Sequence, residues 1–247
     1  MIRAAIILAL LQLISSHDLP NDWIKCHRTD PQFNNCVKNA VQHVIRPLGN
    51  QGVPSLGLKE LEPLEVHEIL LQPKGKSSAV SLKITFRNVK VHGISTSNIL
   101  KFDSHPEKFD MEGETLTPVI RVEADYVMDG QILVLPVTGN GRCNITMYEL
   151  TTLHDVKGKG VERGGELFME LEKYKVLFST KRMHGYFDNL FNGDKLLGES
   201  VNQVINDNSQ LIFNELKPSL EKHLGIVFLN YANGIFKKVP MDKIFLP

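Results

Sequence analysis

KLLGESVNQVINDNSQLIFNELKPSLEKHL, residues 195–224, carries one apolar stripe for its whole length. Leu196, Leu197, Val201, Val204, Ile205, Leu211, Ile212, Leu216, Leu220 and Leu224 recur at the 3.6-residue period of an amphipathic helix. Asn192-Gly193 turns the chain just before it, and Asp194 is placed to cap it. Pro218 falls inside and predicts a kink or a break, since proline removes an amide donor and crowds the preceding turn. A stripe this long needs an equally long partner, and the curved face of a twisted sheet can supply one.

Upstream the period changes to two. Val80, Leu82, Ile84 and Phe86 alternate with Ser81, Lys83, Thr85 and Arg87, as in a half-buried antiparallel strand. Ile120, Val122, Ala124, Tyr126 and Met128 repeat the pattern, and Leu64, Val66 and Ile69 suggest an earlier strand. Asp129-Gly130 reads as a hairpin turn with a return strand over 131–137. Two more strands follow at 143–156 and 167–178, joined by a glycine-rich loop at 158–165. Before the strands, 33–45 reads as a helix with Val37, Ala40, Val41, Val44 and Ile45 on one face, stopped by Pro47, Gly49 and Gly52. After the long helix, 225–247 reads as a short helix and an extended tail that packs back. The expected class is α+β: one curved antiparallel sheet rolled around a long helix, with a short helix at one end, in a single domain over 17–247.

Composition bounds the function. The 247 residues are 42% hydrophobic and 23% charged, as in ordinary globular domains. Basic and acidic residues number 28 each, a balance that argues against nucleic acid as a partner and gives no support for docking on anionic lipid. Arg3, the apolar run 4–14 and the small Ser15 and Ser16 read as a cleaved signal peptide over 1–16. The run is too short to cross a bilayer, which takes about 20 apolar residues. The mature chain is expected to be secreted, monomeric and not inserted in a membrane. Cys26 and Cys36 flank a polar, turn-like segment, and a disulfide between them would stabilise by about 2–3 kcal/mol. Cys143 is left over, either as a buried thiol or as a partner for another chain. Asn144-Ile145-Thr146 is a glycosylation sequon.

Catalytic signals are missing from the sequence. The 9 histidines are scattered without metal-ligand spacing, and there is no G-x-S-x-G elbow. Gly139-Asn140-Gly141 lacks the third glycine and the helix of a dinucleotide fingerprint. The expectation is a protein with no catalytic residues, no metal and no cofactor.

Several segments resemble the takeout / juvenile-hormone-binding protein family. They are Leu19-Pro20 with Cys26 and Cys36, Pro54-Ser55-Leu56-Gly57 with Leu61 and Pro63-Leu64, and Asn88-Val89-Lys90-Val91-His92-Gly93. The most distinctive runs from Tyr126 through Gly130-Gln131-Ile132-Leu133-Val134-Leu135-Pro136-Val137 to Gly139-Asn140-Gly141. Phe187-Asp188-Asn189-Leu190-Phe191-Asn192-Gly193, then Asn202, Asn206 and Asn208, then Val239-Pro240, Asp242 and Phe245 complete the match. The resemblance implies a super-roll fold, a long helix wrapped by a curved sheet around an apolar cavity, and carriage of juvenile hormone or another lipophilic molecule. It also implies roles in hormone transport, chemosensation, feeding or circadian output. Hormone-binding members carry a second disulfide across the sheet, whereas 174–191 offers Cys143 no partner, which places this chain nearer the takeout branch.

The modest aromatic content, 7%, leaves room for a hollow. Val37, Val41, Val44 and Ile45 of the first helix are expected to line it. So are Ile84, Phe86, Val122, Ala124 and Val134 of the first strands, and Val176, Phe178, Ile212 and Phe228 beyond them. Tyr126 is the candidate for the one polar group that orients a guest, the alternative being a core tyrosine bonded to the backbone. The mouth is expected near the stapled helix and the C-terminal segment, which could act as a gate. A secreted esterase and a ligand-stabilised signalling partner are the alternative functions.

Overall fold

The computed structural model describes residues 17–73 and 79–247, so the expected signal segment lies outside the described residues. In chain order the elements are β1 (Cys26–His27), α1 (Phe33–Gln51), β2 (Leu64–Leu71), β3 (Val80–His92), β4 (Asn98–His105), β5 (Asp110–Ile132), β6 (Leu135–Arg163), β7 (Glu166–Phe187), α2 (Lys195–Asp207), α3 (Ser209–Phe236), α4 (Met241–Ile244) and β8 (Phe245–Leu246).

Strand length dictates the shape. β6 has 29 residues. At about 3.3 Å per residue it would extend roughly 95 Å if flat, about twice the breadth of a compact domain of this length, so the sheet coils. Its order is β2-β3-β5-β6-β7, antiparallel throughout. β5 has two partners along one side: β4 over Asp110 to Leu116, then β3 over Arg121 to Ile132. Pro118 lies in the gap between them and outside the β5–β6 register as well, where Thr117 faces Leu150 and Val119 faces Tyr148. A residue without an N–H belongs where the ladder is interrupted.

The helices close the roll from inside. Ile212, Phe213 and Leu216 of α3 and Val201 and Ile205 of α2 are buried against inward side chains of β2, β3, β5 and β7. Gly225 lets α3 lie directly on β7, because a Cβ there would stand 2.5 Å from the Tyr174 carbonyl oxygen. β7 is an edge strand, and helix side chains take up its unpaired backbone groups. The Asn202 amide donates to Phe187 O and accepts from Phe187 N, at 2.8 and 2.9 Å. Asn206 does the same with Gly185 and Asn233 with Leu171. Glu221 accepts from Phe178 N at 2.9 Å. An edge satisfied in this way cannot template another strand.

The staple forms: Cys26 and Cys36 are disulfide-bonded. β1 pairs in parallel with β8, and Arg28 bridges to Asp242, so the leader and the tail hold one another.

Several expectations need correction. The long helix divides at Asn208, whose side chain turns back to Val204 O at 2.8 Å, and not at Pro218. α3 runs through Pro218 and on to Phe236, because its apolar contacts continue on both sides of the missing hydrogen bond. α1 likewise passes Pro47 and Gly49 to end at Gln51, and Gly49 O accepts from Leu61 and Glu62. β6 takes in most of the expected glycine loop, leaving Gly164-Gly165 as the turn. The Asp129-Gly130 pair lies within β5, and the hairpin turns instead at Leu133-Val134. Gly130 (φ 140°) is there because a Cβ would stand 1.9 Å from Ser81 O. Val134 therefore projects from the hairpin tip, 89% exposed, and not into the lumen.

Candidate ligand-binding site

Inside the roll lies a cavity of about 330 Å³ whose wall is almost wholly apolar. α1 supplies Val41, Val44, Ile45 and Leu48; β3 supplies Ile84 and Phe86; β5 and β7 supply Val122 and Phe178; α3 supplies Ile212 and Phe228. A second cavity of about 310 Å³ lies beside it, lined by Val37 and Val156, by Trp23 of the leader, Phe236 at the end of α3 and Phe245 of the tail. Val41, Val44, Ile45, Leu48, Ala232, Thr115, His154 and Tyr174 belong to both walls. Each volume lies at the lower end of the range for small-molecule sites, about 300–1,000 Å³.

The structure thus brings most of the sequence-predicted residues to these two hollows, Val37 to the second. Three others lie elsewhere in the interior. Ala124 and Val176 are packed within the core, away from both cavity walls. Tyr126 is buried edge-on against Phe187 and donates its hydroxyl to Asp188 O at 2.5 Å. Burial pushes that hydroxyl up well beyond the ordinary tyrosine range. Tyr126 is a bonded core tyrosine and not the polar group of the lumen.

The polar groups of the wall are ones the sequence reading passed over. Thr115, His154 and Tyr174 stand on the inner face of the adjacent strands β5, β6 and β7. His154 Nε2 is 3.2 Å from Thr115 Oγ1, and Nδ1 is 3.1 Å from the Tyr174 hydroxyl. Burial lowers His154 to about 4 and pushes Tyr174 up to about 12, so both are neutral at physiological pH. Their signal in the sequence is phase: Leu150, Thr152, His154 and Val156 occupy the inward positions of one strand, and two of the four are polar.

Outside the lumen, Cys143 is a buried free thiol, pushed up to about 12 by burial. Asn144 is exposed on β6. Among the described residues no cluster of His, Cys, Asp and Glu is arranged to hold a metal, and no helix is long and apolar enough to cross a membrane.

A coiled sheet closed on a helix around an apolar lumen defines a class of ligand-enclosing proteins. The chain belongs to the haemolymph juvenile hormone binding protein family, whose model matches residues 4–246. It is similar to the circadian clock-controlled protein daywake of Drosophila yakuba, with 25% identity over 239 residues, 94% of this chain and 90% of that protein. Daywake of Drosophila melanogaster is 24% identical over the same shares. The crystal structure of Epiphyas postvittana Takeout 1 superposes with a TM-score of 0.78 at 24% identity, covering 91% of this chain and all of that one. The takeout-like fold expected from the sequence is therefore shown.

Proposed function

We propose that this protein is a secreted, non-enzymatic carrier that encloses one lipophilic molecule, of the size of a terpenoid hormone or a fatty chain, in the lumen between sheet and helices. The observation that carries the reading is the pair of adjoining apolar hollows. Burying about 400 Å² of guest surface at roughly 25 cal/mol per Å² yields about 10 kcal/mol before ordering costs. That is enough for micromolar to nanomolar affinity where the pocket is preformed. Juvenile hormone, for which the family is named, is a cargo of this kind. Secretion is supported by the apolar run 4–14 and by the Cys26–Cys36 disulfide, which suits an oxidising compartment. Asn144, exposed in its sequon, is the proposed glycan site.

The test is native mass spectrometry of protein secreted from its own source, followed by rebinding to the delipidated protein. One intact lipid per chain, recovered chemically unchanged, is expected. Failure of terpenoid esters, fatty acids and long ketones alike to bind would sink the carrier. Steady turnover of an added ester would make it an enzyme.

A further inference from the structure

The lumen wall carries two polar groupings that differ in how their hydrogens are used. In the first, Ser97 and Thr117 hydroxyls lie 2.7 Å apart and Ser97 donates to Ile94 O at 2.8 Å. Thr117 then donates to Ser97, and both hydrogens are placed. The second is the chain Tyr174–His154–Thr115. A neutral imidazole donates from one nitrogen and accepts at the other. The chain therefore contains three donor hydrogens, two on hydroxyls and one on the ring, and makes two internal bonds. One hydroxyl hydrogen is left over in either tautomer. It is Tyr174's when Nδ1 carries the proton and Thr115's when Nε2 does. Among the described residues neither hydroxyl has another partner. Thr152, opposite Thr115 in the β5–β6 register, adds one more hydroxyl to the same wall.

We propose, building on the carrier reading, that this cluster recognises an internal oxygen: the lumen selects an elongated apolar molecule bearing a keto, ester or epoxide oxygen between two apolar arms, one arm in each hollow. Location supports it. Thr115, His154 and Tyr174 are shared by both cavities, with Phe178, Ile212 and Leu216 beyond them on one side and Val156, Leu171 and Phe236 on the other. Preorganisation supports it too. The Tyr174 backbone is held under Gly225, and its ring stands edge-on to His154 at 5.9 Å and against Phe228 at 5.8 Å. The Tyr174 ring is therefore in place before a guest arrives, which reduces the ordering cost of bonding to the cluster. With His154 held neutral by burial, the cluster presents a hydrogen-bond donor without a net charge, and so suits an uncharged oxygen better than a carboxylate.

The test uses delipidated full chain and three compounds of equal length: pentadecan-8-one, pentadecan-2-one and pentadecane. Affinities are read by displacement of a fluorescent fatty-acid probe, in the natural protein and in the quadruple variant Thr115→Val, Thr152→Val, His154→Phe, Tyr174→Phe. All four side chains are replaced because at least one spare hydrogen survives any single replacement. The natural protein is expected to bind the mid-chain ketone about three- to tenfold tighter than pentadecane, the size of one neutral hydrogen bond. The end-chain ketone should bind less tightly than the mid-chain one. The quadruple variant should lose the preference while still binding pentadecane. The infrared carbonyl stretch of bound pentadecan-8-one should lie lower in the natural protein than in hexane, a reading that needs no variant. Equal affinities in the natural protein, a preference that persists in the quadruple variant, or an unshifted carbonyl would overturn the proposal and leave the carrier standing. Failure of all three compounds to bind would remove the carrier reading as well.

Discussion

Replacing His154 by phenylalanine should make the protein less sensitive to acid. In the unfolded chain this imidazole titrates near 6.5, whereas in the folded protein burial lowers it to about 4. Between those values the unfolded chain binds a proton that the folded chain refuses, so stability falls as pH falls. The sign is that of a depressed folded-state pKa. Above 6.5 the penalty is absent; it grows through the window and is complete below about 4. Across the whole window, at 1.36 kcal/mol for each tenfold change in proton activity, this amounts to about 3 kcal/mol. Against a typical total of about 5–15 kcal/mol the loss is large. Urea unfolding at about pH 7.5, 5.5 and 4.5 measures it, with natural protein and His154→Phe compared at each pH. Carboxylates also lose stability in acid. Glu170 and Asp18 are held low by hydrogen bonds from Lys237 and Lys243, but they act alike in both proteins and cancel in the difference. The natural protein should lose about 2.5 kcal/mol more than the variant between the upper and lower pH. Parallel loss in the two would refute a buried, neutral His154.

Three further outcomes are expected. Val44→Trp puts a large ring into the wall shared by both hollows and should weaken binding of long guests at least about tenfold with the circular dichroism spectrum unchanged. Tyr126→Phe removes the bond to Asp188 O and should cost about 1 kcal/mol in urea unfolding while leaving guest affinity unchanged; a selective loss of affinity would restore Tyr126 to the lumen. Cys26→Ser with Cys36→Ser should cost about 2–3 kcal/mol, measured by calorimetry, and an unchanged melting temperature would show that the leader is held by its other contacts.

Much of this molecule was legible because the physics acts locally. The two periodicities of residues 80–87 and 195–224 found the sheet and the helices, and the face of Val37, Val41, Val44 and Ile45 found a cavity wall. The failures are of another kind. Asp129-Gly130 has the composition of a turn, but Gly130 is needed by a neighbour 49 residues earlier, Ser81, and composition does not show a close approach across a ladder. That shift of the turn exposed Val134. Tyr126 and Tyr174 are the same residue type on inward phases of different strands, and only the three-dimensional partner, Asp188 O or His154, separates a core tyrosine from one that faces the lumen. Asn208 ended a helix where proline did not, because a side chain able to bond its own backbone offers an alternative to the next turn.

The seams between α2, α3 and the two rims of the sheet are unequal. Along β7 the helices are sewn on by Asn202, Asn206, Gln210, Glu221 and Asn233. Along β2, among the described residues, the strand's backbone is tied to α3 by Ser219 bonding to Leu70 O. Any swelling of the interior to admit a passenger would break fewer such bonds at the β2 seam than along β7.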